Sequence, residues 1–173
     1  MGEVMEAVPL KTAIISDDGV YRYALSRDTG VGKDVVAFIG VNPSTADAHQ
    51  DDATIRKLYG FGARNNIRKW VVGNLFAYRA TDVRGLKTAT DPEGPEADAH
   101  LANIFRQCDY AVFGWGSLAK LPRHLRFRWA LVRDIALMAD CATYCIGTTK
   151  DGQPKHPLMT PYCTPITRWE PQP

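Results

Sequence analysis

The stretch FIGVNPSTADAHQDDATIRK, from Phe38, leaves an apolar run at Gly40, enters Asn42-Pro43-Ser44-Thr45 and then passes Asp47, Asp51 and Asp52. An Asn amide carries both a donor and an acceptor, so Asn42 can orient a water or read the edge of a polar ring, while Pro43 holds the backbone beside it rigid. The plainer reading is a turn in which Asn42 bonds its own backbone. Asp51 and Asp52 can supply a general base or a metal ligand, or cap a helix. Asn74 either reads a ligand or satisfies loop backbone. Arg79 suits a phosphate or carboxylate, although an ion pair with Asp82 or Asp91 explains it equally well. Trp115, between two glycines, can stack on a ring or belong to the core. His156 precedes Pro157, and a histidine there can donate a hydrogen bond to a developing anion or exchange a proton near neutral pH.

The elements that must position these residues follow from hydrophobic periodicity. KTAIIS and VYRYALS, joined by Asp17-Asp18-Gly19, read as a β-hairpin. DVVAFIGV is a nearly continuous apolar run, which suits a strand covered on both faces, and Asn42-Pro43 stops it. Thr54 to Asn65 reads as a helix whose start Asp51 or Asp52 can cap. KWVVGNLFAY is the next strand. Arg79 to Pro95 is a long polar loop, of a length often tied to function. EADAHLANIFRQC is a helix, YAVFGWG a strand, Pro122 to Met138 a second long helix and CATYCIG the last strand.

This alternation predicts an α/β fold: one domain over residues 1–173, with a core of about 12–168, built as a three-layer sandwich. Its central sheet is expected to be mainly parallel and four-stranded, with the N-terminal β-hairpin as an extension. In such sheets the ligand crevice lies beyond the carboxyl ends of the strands. GVNPST, NLFAYRAT, GWGS and GTTKDGQPKHPL stand at those ends, so four motifs can converge on one pocket.

Composition narrows the class. A chain of 173 residues, 45% hydrophobic, can bury one substantial core. Runs such as VVAFIGV fall far short of the ~20 residues a membrane span needs, and the N-terminus lacks a basic start followed by an apolar core, so a cytoplasmic protein is expected. Met1-Gly2 is a poor myristoylation start because position 6 is Glu. A net charge of +2 does not announce a nucleic-acid binder, but Lys120 to Arg133 carries five Lys or Arg and no acid, a candidate phosphate-contacting face or a solvated helix. The four cysteines, Cys108, Cys141, Cys145 and Cys163, form no C-x-x-C pair and read as free thiols. No metal and no cofactor are expected. P-loop, GxSxG, HExxH and EF-hand patterns are absent from the sequence.

GVNPSTADAHQDDATIRK, VVGNLFAYRATDVRGL, DPEGPEADAHL and GTTKDGQPKHPL together resemble a bacterial and phage family known as domain of unknown function 1643, over about Val20 to Pro165. That likeness implies no activity by itself. A more distant resemblance is to the uracil-DNA glycosylase superfamily, which follows the same order: GVNP at Gly40, NLFAYR at Asn74, the Asn103 helix running into AVFGWG, and HPL at His156. It implies a uracil-DNA-glycosylase-like fold in which Asn42 positions water, Asn74 reads the base edge and His156 stabilises the leaving base anion. Three features depart from the superfamily. The late motif is His-Pro-Leu-Met without a Ser-Pro, no four-cysteine cluster pattern is present, and the acidic run beside GVNPST has no counterpart. These departures argue against uracil excision itself.

The implied function is cleavage or transfer at the N-glycosidic bond of a base, nucleoside or modified nucleotide. Asn42, Asp52 (or Asp51) and His156 would be catalytic. Gly40, Pro43, Ser44, Thr45, Asn74, Phe76, Arg79 and Trp115 would bind substrate, with Tyr78 a further stacking candidate. The alternative is a non-catalytic module that recognises a nucleotide or nucleic acid in the same pocket. A structural or partner-binding protein is the third class.

Overall fold

The computed structural model describes residues 10–171. Met1-Gly2 lies outside them. The order is β1 (Lys11–Ile15), β2 (Arg22–Asp28), β3 (Asp34–Gly40), α1 (Ala53–Arg64), β4 (Ile67–Asn74), α2 (Ala97–Gln107), β5 (Tyr110–Phe113), α3 (Arg128–Met138), β6 (Thr143–Cys145) and β7 (Thr167–Arg168). The class is α/β, as expected.

The sheet departs from a four-stranded one. Seven strands form a single mixed sheet in the order β1-β2-β4-β3-β5-β6-β7. β4, β3, β5 and β6 run parallel to one another, whereas the β1–β2, β2–β4 and β6–β7 pairs are antiparallel. Half of the pairings are therefore antiparallel. The hairpin is no appendage, because β2 pairs along Leu25–Asp28 with β4 and carries the sheet outward. β7 extends the other edge from a tail rich in turn formers, where two exposed residues give no periodic signal.

Helices cover both faces. Along β3, Ala37 and Ile39 pack into one apolar cluster with Leu101, Ile104 and Phe105 of α2 and Val132 and Ile135 of α3. Val36 and Phe38 point the other way and meet Ile55, Leu58 and Phe61 of α1. Successive strand side chains face opposite sides, so each apolar residue of a continuous run finds cover. The helix expected from Pro122 begins later: Arg123–Leu125 is a 3-10 turn and α3 starts at Arg128. Among the described residues no helix is long and apolar enough to cross a membrane.

The chain leaves β3 through α1 to reach β4 on one side, then crosses through α2 to β5 on the other. That reversal opens a crevice at the carboxyl ends of β3 and its neighbours. β2 runs antiparallel to β4, so its amino end, where Arg22 N–H donates to Ala77 O at 2.9 Å, reaches the same place.

Candidate functional site

A cavity of about 260 Å³ opens at those carboxyl ends. Its polar wall holds Asn42, Ser44, Asp52, Asn74, His156 and Arg22, and Phe38, Ile55, Val72 and Val83 supply apolar surface. The β3 turn, the start of α1, the end of β4 and the late His-Pro segment thus meet around one space. It is small beside the roughly 300–1,000 Å³ of ordinary ligand pockets, which limits the occupant to a compact group.

Hydrogen bonding fixes what each side chain offers. Asn42 Nδ2 donates to Ala80 O at 2.7 Å and to Pro43 O at 3.1 Å, which ties the turn to the loop after β4. Both partners are carbonyls, so the nitrogen must face them and Oδ1 is the atom left to accept. Asp52 is the N-cap of α1: its Oδ1 accepts from Ile55 N–H at 2.9 Å, leaving the second carboxylate oxygen. His156 Nδ1 accepts from Leu158 N–H at 3.2 Å, so the proton of a neutral ring sits on Nε2. Burial holds the His156 pKa below its ordinary value of 6.5, with the charge of Asp52 opposing the shift. At neutral pH this imidazole is an uncharged Nε2–H donor.

The acidic run divides its work. Asp47 Oδ1 accepts from the N–H groups of His49 and Gln50 at 2.8 Å each, bonds that lower its pKa and shape the loop. Asp51 is paired with Arg27 at 2.7 Å and with Lys11 at 2.8 Å. Burial alone would raise its carboxyl, but these two cations outweigh it and hold the pKa below the usual range. Arg27 is itself 1% exposed and also donates to Asp47 O and Gln50 O. Asp51 is thus the counter-ion of a buried arginine, and Asp52 is the acid that lines the cavity.

Several sequence-predicted residues lie elsewhere. Phe76 is fully buried in the core cluster shared with α2 and α3: β4 ends at Asn74, alternation stops with it, and Leu75 and Phe76 both pack into that cluster. Arg79 donates to Gly19 O at 3.3 Å in the β1–β2 turn and lines neither cavity. Trp115 is 4% exposed, packs against Phe113 and Trp169 and donates from Nε1 to Gln153 Oε1 at 2.9 Å. Pro43 is buried and acts through its carbonyl, Thr45 is exposed, and Tyr78 packs on Tyr21. Gly40 and Ser44 do line the cavity.

The basic stretch from Lys120 is only partly a free surface. Arg128 is buried, donates to Leu75 O and pairs with Glu93 of the long loop at 3.2 Å and with Asp98 of α2 at 2.5 Å, fastening both to α3. Lys120 instead faces a larger, more open cavity of about 1,080 Å³, lined also by Arg84, Ser117 and Trp115. This outer space shares His156, Val41, Thr81 and Val83 with the inner one. All four cysteines are free, and among the described residues no group of three His, Cys, Asp or Glu side chains could hold a metal ion.

Arg22 was not legible in the sequence. It is 4% exposed, lines the inner cavity, and donates to Ala46 O at 2.8 Å and, at a long 3.4 Å, to Asn74 Oδ1. Because a guanidinium only donates, Asn74 must turn its oxygen to Arg22. Its Nδ2 then stands beside Gly40, 3.0 Å from where a Cβ would be. Burial lowers the Arg22 pKa to about 10, a shift that Asp52 opposes.

No curated protein and no solved structure matches the chain, and nothing in these comparisons supports the glycosylase likeness of its motifs. A family model described as "Protein of unknown function (DUF1643)" matches residues 22–158. That span runs from Arg22 past His156 and contains every residue that lines the inner cavity. The chain belongs to the DUF1643 family.

Proposed function

We propose that the inner cavity binds a base as part of a nucleoside, nucleotide or nucleic acid, and that the protein hydrolyses or transfers at the N-glycosidic bond. The observation that carries this reading is the grouping of an acceptor, a carboxylate and a neutral imidazole donor around one small space: Asn42 Oδ1, Asp52 and His156 Nε2–H. In this scheme Asn42 Oδ1 accepts a hydrogen bond from water and the free oxygen of Asp52 takes its proton. The water oxygen bonds to the sugar carbon as the C–N bond breaks, and the electron pair leaves with the base. His156 Nε2–H donates to the oxygen on which that charge gathers. The proton held by Asp52 returns to the departed base. Asn74 Nδ2 donates to the base edge, and the outer cavity accommodates the rest of the ligand. DNA modification or repair is the setting in which such chemistry is used.

The test is mass spectrometry of products after incubation with natural and modified DNA, RNA and nucleosides, with Asn42→Ala alongside. Free base from the wild type and none from the variant supports the enzyme. The competing reading, a binding module without chemistry, is favoured by the capping bond that already engages one oxygen of Asp52. It predicts retention of a nucleotide or oligonucleotide with no base released from any substrate.

A further inference from the structure

Arg22 is the group this scheme does not use. Its side chain is almost wholly buried at the cavity, its Nε has no hydrogen-bond partner, and no carboxylate forms an ion pair with it among the described residues. Asp52 and Asp47 are acids whose charge reaches it, and neither bonds to it. Compare Arg27, equally buried on the same strand, which has Asp51 at 2.7 Å. Taking a guanidinium out of water is costly unless an opposite charge and hydrogen bonds compensate it, and a neutral carbonyl would supply only the second.

Beside the acceptors Asn42 Oδ1 and the free oxygen of Asp52, several other groups around Arg22 also donate. The Asn74 nitrogen beside Gly40, His156 Nε2–H and the hydroxyls of Ser44 and Thr54 line the same space, which lies at the amino end of the twelve-residue helix α1. Backbone N–H groups and the helix dipole favour negative charge there.

We propose that the ligand brings an oxyanion, a phosphate or a carboxylate, into the inner cavity against Arg22, so that the true ligand is an acidic compound and not a neutral base or nucleoside. This rests on the reading of the cavity as the ligand site and narrows its substrate class. Arg22 then contacts the ligand directly, and Asn74 is held in its donor orientation by the same guanidinium.

Calorimetric titration of the full chain tests it with paired probes: uridine monophosphate against uridine, orotate against uracil, and inorganic phosphate alone. The acidic member of at least one pair is expected to bind and its neutral partner not to. The phosphate and carboxylate arms tell the two sources apart. Arg22→Gln should weaken acid binding about tenfold to a hundredfold, with Arg22→Lys between. Equal affinity for neutral and acidic probes, no binding of any acid, or acid binding unchanged in Arg22→Gln overturns the proposal. The wild-type comparison decides alone if the Gln variant does not fold. Base release from neutral nucleosides, unaffected by Arg22→Gln, would sink the oxyanion and leave the glycosidic reading. Arg22-dependent acid binding without base release would do the reverse.

Discussion

The side-chain nitrogen of Asn74 stands 3.0 Å from the position a Cβ would take on Gly40, so a methyl group fits between these two strand ends only if the amide gives way by a few tenths of an ångström. β3 and β4 are paired at this point, Gly40 opposite Asn74, and Arg22 holds the Asn74 oxygen from the other side. Gly40→Ala is expected to push the amide out of line, lowering ligand affinity or turnover about tenfold and destabilising the fold by about 1 kcal/mol. In an Asn74→Ala background the same change should be neutral or stabilising, because the clash is gone and alanine suits a strand better than glycine. Denaturant unfolding of the four variants measures that coupling, and its absence would mean that the contact is not felt.

His156 gives stability a defined pH dependence. Its folded pKa is depressed below 6.5 by burial, so the unfolded chain takes up the proton first as the pH falls. The stability present above 6.5 is therefore lost as the pH drops through that value toward the lower folded pKa. Melting curves from about pH 8 to about pH 5 should show this loss in the wild type and a smaller one in His156→Gln. The carboxylates with lowered pKa values, such as Asp47 and Asp51, act in a more acidic window and cancel in the comparison. Identical slopes for the two proteins would show that the ring is not buried as described.

Legibility in the sequence followed the reach of each signal. Asn42 and Asn74 were readable because each stands where an apolar run stops, Asp52 because it directly precedes a helical pattern and His156 because it precedes a proline in the segment after the last core strand, and the strand ends of an α/β sheet converge. The same rule failed for Phe76 and Trp115. Position after a strand does not say which way a side chain turns, and the partner of Trp115, Trp169, comes from a tail with no pattern of its own. Arg79 sits at the correct edge but reaches the β1–β2 turn, whose place depends on β2 joining β4. Arg22 was hidden for the converse reason. In VYRYALSRD it reads as the outward residue of an alternating strand, yet β2 lies between β1 and β4 and both Arg22 and Tyr23 are buried.

The thiols differ in accessibility. Burial pushes Cys108 up to about 12 and Cys141 up to about 11, and it raises Cys145 as well, so little thiolate forms at neutral pH. Cys163 is exposed. Iodoacetamide should add one group to the folded protein, at Cys163, and four after denaturation, as read by intact mass and peptide mapping. Rapid native labelling of Cys108 or Cys141 would contradict the packing around β5 and β6.

Asp51 and Asp52 are neighbours with opposite expected phenotypes. Asp51→Ala removes the carboxylate from Arg27, 1% exposed, and leaves a buried charge without its counter-ion, at a cost of about 3 kcal/mol. Asp52→Asn keeps an oxygen to accept from Ile55 N–H, and asparagine caps a helix about as well as aspartate, so stability should change by less than about 0.5 kcal/mol. The same substitution removes the base from the cavity, and base release should fall about a hundredfold to ten-thousandfold. Denaturant unfolding and the product assay together separate the two positions. An Asp52→Asn protein that releases base at the wild-type rate would remove the carboxylate from the scheme and leave water activation to Asn42 alone.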